Sequence, residues 1–116
     1  MSVYIAPTAK VYDNVKFSGN AQVSGNTKVI DYARILDNAR VSGNAIVCGN
    51  AIVYGNAQVY GNARVAGIAN VFGNARIFDN AKVCGIARVS GAAWVYDNAQ
   101  VHGNAKVCGA AWVYDN

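Results

Sequence analysis

Residues 51–80 read AIVYGN AQVYGN ARVAGI ANVFGN ARIFDN, five units of six residues that share one pattern. Each unit places apolar residues at its first and third positions, variable residues at its second and fourth, and Gly or Asp at its fifth. This alternation is the period-2 pattern of a β-strand, and Gly and Asp tolerate the backbone of tight turns. A Gly in nearly every unit would cost a helix about 1 kcal/mol each relative to Ala. The stretch therefore predicts short strands joined by sharp corners.

The pattern continues without insertion over residues 9–116, as eighteen hexads of the form Ala-x-Val-x-Gly/Asp-Asn. Ala is first in sixteen hexads, Val is third in fifteen, and Asn is last in thirteen. Stacking such hexads about 4.8 Å apart satisfies the backbone groups and buries the Ala and Val side chains. We therefore expect an all-β solenoid over residues 9–116, preceded by a degenerate N-terminal repeat or cap over residues 1–8.

These hexads resemble the hexapeptide-repeat superfamily, in particular its long tandem Ala-x-Val-x-Gly-Asn proteins that are labelled putative acyltransferases. The resemblance covers the whole array and implies a left-handed parallel β-helix of triangular section, with three hexads in each of about six coils. General crossover rules favour the right hand, so the left hand rests on the resemblance alone.

The same resemblance implies two kinds of enzyme. Many members are acyltransferases that use acetyl-CoA, commonly as trimers with a catalytic His in a cleft between subunits, often completed by a projecting loop or a C-terminal helix. Others are γ-class carbonic anhydrases, which hold zinc through three histidines. This chain has one histidine, His102, and we expect no loop or helix outside the array.

Three hexads per coil would stack residues eighteen apart in columns, and one face then collects six aromatic residues near its C-terminal end. These predicted contact residues are Tyr60, Phe78, Trp94, Tyr96, Trp112 and Tyr114. Three interpretations stand: self-association, stacking on a ligand or glycan, or simple ladder packing at about 0.2–1 kcal/mol per pair. Because both Trp residues occupy outward positions, we favour a contact surface.

His102 and Cys84 are the weak catalytic candidates. They are eighteen residues apart, which predicts neighbouring side chains on adjacent strands, as in an activated thiol or half a metal site. The competing interpretation is that the fourth hexad position is simply variable. Cys48 shares this column about 9.6 Å from Cys84, beyond the Cα separation of about 7 Å that a disulfide allows. We expect no disulfide, no metal site and no cofactor.

The charges follow the repeat: all ten Lys and Arg occupy second positions, all six Asp occupy fifth positions, and the formal net charge is +4. The cations are spread over all three faces, whereas a nucleic-acid reader concentrates them in one groove, so we expect no nucleic-acid partner. No stretch approaches the roughly 20 apolar residues of a membrane span, and we expect no membrane partner. With no visible secretory signal and with free thiols, a cytoplasmic location is predicted.

An open C-terminal coil would expose unpaired backbone and apolar interior. We therefore expect a homo-oligomer that forms through the C-terminal edge or the aromatic face. The preferred hypothesis is a non-enzymatic structural or binding scaffold. The alternative is an acyltransferase-like subunit that uses acetyl-CoA.

Overall fold

The computed structural model describes residues 3–12 and 14–114, and within them the chain is an all-β solenoid without helix. Its nineteen strands contain two residues each. These are the second and third residues of each hexad, and the corner residues lie outside the strands. The strands are β1 Tyr4–Ile5, β2 Lys10–Val11, β3 Lys16–Phe17, β4 Gln22–Val23, β5 Lys28–Val29, β6 Arg34–Ile35, β7 Arg40–Val41, β8 Ile46–Val47, β9 Ile52–Val53, β10 Gln58–Val59, β11 Arg64–Val65, β12 Asn70–Val71, β13 Arg76–Ile77, β14 Lys82–Val83, β15 Arg88–Val89, β16 Trp94–Val95, β17 Gln100–Val101, β18 Lys106–Val107 and β19 Trp112–Val113.

Each strand pairs in parallel with the strand three places further along the chain, which builds three sheets. Sheet A contains β1, β4, β7, β10, β13, β16 and β19; sheet B runs from β2 to β17 and sheet C from β3 to β18 in the same steps of three. The register joins Trp94 to Trp112 and Val95 to Val113, which are eighteen residues apart. The predicted pitch of three hexads per coil is confirmed, and the predicted columns are correct. Left-handed winding stays a prediction.

The core is a column of Ala and Val that fills the inside of the tube. From Ala21 to Val95 the first and third hexad positions are fully buried. A branched Val packs well on the flat of a strand, whereas only a small side chain fits inside a corner. Thr27 replaces one of these Ala residues, and its buried hydroxyl has no hydrogen-bond partner among the described residues.

We name the corners by the sheets that they join: A–B, B–C and C–A. The fifth hexad position at each corner takes positive φ, for example 69° at Gly43 and 58° at Asp79. A Cβ added to Gly43 would lie 2.9 Å from the backbone N and O of Gly61 on the next coil. At Asp79 a side chain is present, and its Oδ2 accepts the backbone N–H of Asp97 at 3.2 Å. Gly avoids the steric clash because it has no Cβ. Asp compensates for the strained backbone with a hydrogen bond between coils.

The division into residues 1–8 and 9–116 stays a prediction, and residues 1, 2, 13, 115 and 116 lie outside the described residues. The molecule measures 33 Å along its longest axis. Within residues 3–12 and 14–114, no helix has the length and apolar character to cross a membrane.

Candidate functional site: the aromatic cluster of sheet A

The six predicted contact residues come together on the outer surface of sheet A, and we call them the aromatic cluster: Tyr60, Phe78, Trp94, Tyr96, Trp112 and Tyr114. Four of them form one column of stacked rings just after the strands. Tyr60 and Phe78 have ring centroids 5.1 Å apart and planes within 3°. Phe78 and Tyr96 follow at 5.2 Å and 4°, and Tyr96 and Tyr114 at 5.4 Å and 17°.

The two tryptophans form a second column beside the first. Trp94 stacks on Trp112 with centroids 5.3 Å apart and planes within 7°. Edge-on contacts join the columns, since Phe78 meets Trp94 at 6.0 Å and Tyr96 meets Trp112 at 6.5 Å. Parallel and edge-on rings at these distances are the favoured aromatic geometries. The six side chains are therefore one packed surface.

Exposure within the cluster increases toward its C-terminal rung. Phe78, Tyr96 and Trp94 are half-buried, because neighbouring rings cover them. Trp112 is 59 % exposed and Tyr114 is 52 % exposed. Phe78 and Tyr96 have stacked rings on both sides, so a flat group can add most easily at the outermost rings. The arrangement can thus accept a further aromatic or apolar group at Trp112 and Tyr114.

One cation is tied to the cluster. The guanidinium carbon of Arg76 lies 5.5 Å from the centre of the Trp94 ring. This position lies within the range of a cation–π interaction, which is worth about 0.5–1 kcal/mol at an exposed site. Arg76 also stands one rung before Trp94 in the same column.

A second aromatic pair was not among the predicted residues. Tyr54 and Phe72 stack on the outer side of sheet C, with centroids 4.9 Å apart and planes within 8°. The signal that could have found them is the same eighteen-residue spacing between fourth hexad positions. Among the described residues no further ring stacks on Tyr54 or Phe72, so this pair provides a matched comparison for the larger cluster.

The weak catalytic candidates lie on sheet B. Cys84 donates its backbone N–H to the carbonyl oxygen of Val101 at 2.9 Å, which sets it beside His102 on the next coil. Cys84 is half-buried and His102 is exposed. The column placement is as predicted, and a catalytic role stays a prediction. No group of three or more His, Cys, Asp or Glu able to hold a metal occurs within residues 3–12 and 14–114.

The three cysteines are free thiols. Burial raises the pKa of the Cys48 thiol, the Asp31 carboxylate adds to the increase, and Arg64 opposes it. Asp31 is held close because its Oδ2 accepts the backbone N–H of Gly49 at 3.0 Å. Since the thiolate is the nucleophilic form, this environment makes Cys48 a poor nucleophile at neutral pH.

The comparison with known families agrees with the architecture. A family model described as YdcK beta solenoid repeat matches residues 33–49, 47–59 and 57–67. No curated protein matches the chain. The matched segments lie in the central coils, where sheets A, B and C are continuous. The chain is therefore a parallel β-solenoid built from short sequence repeats.

Proposed function

We propose that this chain is a non-enzymatic structural scaffold that self-associates through the aromatic cluster and the C-terminal coil to which its last rung belongs. The observation that carries the proposal is the packing of six aromatic rings into one surface on the outer side of sheet A, where Trp112 is 59 % exposed and Tyr114 is 52 % exposed. Trp and Tyr are enriched in the buried centres of protein interfaces, where they supply much of the binding energy.

The experiment is sedimentation velocity over a range of concentrations, with a variant that removes the exposed rings. Trp112→Gln and Tyr114→Ser introduce residues that the same two columns already hold at Gln22, Gln58, Ser24 and Ser42. We expect the unaltered chain to sediment as a concentration-dependent oligomer and the double variant to shift toward the monomer by at least tenfold in dissociation constant.

Phe72→Ser is the matched control, because Ser18 and Ser90 stand in the same column of sheet C. It removes a stacked ring of similar size and should leave the oligomer unchanged. A monomeric unaltered chain at every concentration, or equal effects of both variants, would contradict the proposal.

The acyltransferase alternative draws its support from His102, which is exposed beside the half-buried Cys84. A ligand that binds only the folded state raises the melting temperature, and acetyl-CoA at 100 times its Kd would add about 2.7 kcal/mol. We expect no such increase with acetyl-CoA. An increase that His102→Gln abolishes would favour the alternative over the scaffold.

A further inference from the structure

The B–C corner carries an exposed apolar ridge that the repeat does not require. The sixth hexad position is usually Asn, and this corner keeps it at Asn14, Asn50 and Asn104 but holds Tyr32, Ile68 and Ile86 on its other three rungs. Their side chains are 61 %, 56 % and 54 % exposed. Asn stands at the same position of most other corners, so the solenoid folds without apolar residues there. We call these three residues the ridge.

Uncharged side chains border the ridge on its sheet B side and widen it into a strip, whereas its outward neighbours on sheet C are Arg34, Ile52, Asn70 and Arg88. On sheet B the outward residues next to the corner are half-buried and apolar or weakly polar: Ile30, Cys48, Ala66 and Cys84. On sheet C the neighbouring outward residue Ile52 is half-buried, and it lines a shallow depression with Tyr32, Arg34 and Asn50. From Tyr32 to Ile86 the strip covers four rungs, with Asn50 between Tyr32 and Ile68, and the three spacings add up to about 14 Å.

Cations flank this strip. Sheets B and C, which meet at the ridge, carry eight of the ten Lys and Arg at outward positions: Lys10, Lys28, Arg64, Lys82, Lys16, Arg34, Arg88 and Lys106. Among the described residues of this corner, Asp31 is the one acid, and Gly67 and Gly85 stand beside the two isoleucines. The surface is therefore an apolar edge between two basic faces.

The expectation of no membrane partner rested on the lack of a spanning segment and did not consider binding to a membrane surface. We propose that the ridge binds the surface of a lipid bilayer that contains anionic phospholipid, with Ile68 and Ile86 entering the headgroup region. Apolar side chains flanked by Lys and Arg are the pattern of segments that lie in a membrane interface, and each cation near an anionic surface adds to the affinity. The ridge lies on a convex corner of a three-sided tube, a shape that enters a deformable surface and offers no groove to a peptide.

Charge repulsion disfavours a second copy of the chain on this surface. Pairing two ridges would bring Arg34 and Arg88 against the same cations of the partner, and like charges brought together repel. The ridge also lies away from the aromatic cluster of sheet A. The bilayer proposal is thus independent of the proposed self-association.

The first test is cosedimentation of the 116-residue chain with vesicles of phosphatidylcholine and phosphatidylserine in a 70:30 ratio by moles, and with phosphatidylcholine alone. We expect binding to the anionic vesicles that weakens as salt is added. Ile68→Asn and Ile86→Asn restore the usual residue of the repeat, so folding is preserved. Together they should lower the partition coefficient at least tenfold. Tyr4→Gln, which removes a 54 % exposed ring on sheet A, is the matched control and should have no effect.

The second test compares the cations of sheet C, which lies at the ridge, with those of sheet A, which does not. Arg88→Gln with Lys106→Gln should lower the partition coefficient by about fivefold per cation, whereas Arg40→Gln with Arg76→Gln on sheet A should lower it less than twofold. Absence of binding to the anionic vesicles would overturn the proposal. So would binding that the two Ile changes leave intact, since that result indicates attraction of cations to any polyanion. The sedimentation coefficient of each variant without vesicles separates this outcome from a loss of self-association.

Discussion

The two halves of sheet A have the same backbone and the same interior, yet their outer surfaces differ. In the N-terminal half the outward residues include Gln22, Ser24, Arg40 and Ser42, and part of this surface lines a polar depression with Asn20, Asn38, Asn56 and Gln58. In the C-terminal half the corresponding positions hold the aromatic cluster. Both halves keep the same parallel pairing, with Gln22 opposite Arg40 and Trp94 opposite Trp112. The solenoid therefore does not need the aromatic rings in order to fold, which is why we assign them to contact.

The A–B corner beside sheet A changes at the same place. Gly occupies its fifth hexad position at Gly25, Gly43 and Gly61, and Asp replaces it at Asp79 and Asp97. Gly and Asp accommodate the close approach of neighbouring coils in different ways. Gly avoids contact with the next coil, and Asp tolerates positive φ and bonds to that coil through its carboxylate.

The largest expected effect tests this difference between corners. Gly43→Ala places a Cβ 2.9 Å from the backbone of Gly61 at a φ of 69°, and we expect a loss of about 3 kcal/mol in the free energy of unfolding. Asp79→Ala keeps a Cβ that the corner already accommodates but loses the hydrogen bond to Asp97. We expect this change to lower the free energy of unfolding by about 1–2 kcal/mol. Urea unfolding followed by circular dichroism measures both.

Asp79→Asn is the control for this comparison, because its side-chain oxygen can still accept the Asp97 N–H and Asn tolerates positive φ. It should cost less than about 0.5 kcal/mol. If Gly43→Ala proved as mild as Asp79→Asn, close approach between coils would not be the reason for Gly at this corner.

An intermediate effect is expected from the stacked column. Phe78→Ser removes a ring with stacked neighbours on both sides, and we expect a loss of about 1–2 kcal/mol in the free energy of unfolding. The reverse change, Ser42→Tyr, would add a ring next to Tyr60 and should gain about 0.5 kcal/mol. Destabilisation by Ser42→Tyr would show that the two halves differ in backbone geometry and not only in their side chains.

The fold could be predicted from the sequence because the same hexad pattern recurs eighteen times. Every correct column, including the one that joins Trp94 to Trp112, follows from three hexads per coil, and that number came from the resemblance. The residues of the aromatic cluster were predictable for the same reason. Their ring orientations were not, since the tilt of each ring depends on its packing against the next.

Other features fall outside what the repeat determines. The Asp79 to Asp97 bond depends on a side-chain rotamer that spacing does not specify. The ridge at Tyr32, Ile68 and Ile86 was visible only as departures from Asn, and its exposure required the corner geometry. Likewise, a raised pKa at Cys48 depends on burial and on the nearby Asp31, which lie in different hexads.

The smallest expected effect compares the two arginines of sheet A. Arg76 lies 5.5 Å from the Trp94 ring, whereas Arg40 has the polar Gln22 and Gln58 as its neighbours in the column. Arg76→Gln should therefore cost about 0.5 kcal/mol more in the free energy of unfolding than Arg40→Gln. Both arginines are exposed second-position residues, so loss of charge and of side-chain packing is matched.

A double-mutant cycle with Trp94→Gln isolates the pairwise energy, because the extra cost of losing Arg76 should vanish once the ring is absent. An excess that persists without the ring would assign the effect to other contacts of Arg76. A vanishing excess would mean that the aromatic half binds its own cation, leaving Arg76 less free to meet a partner than Arg40. The positive charge nearest to the cluster would then already interact with the Trp94 ring, which favours packing of the cluster against another aromatic or apolar surface.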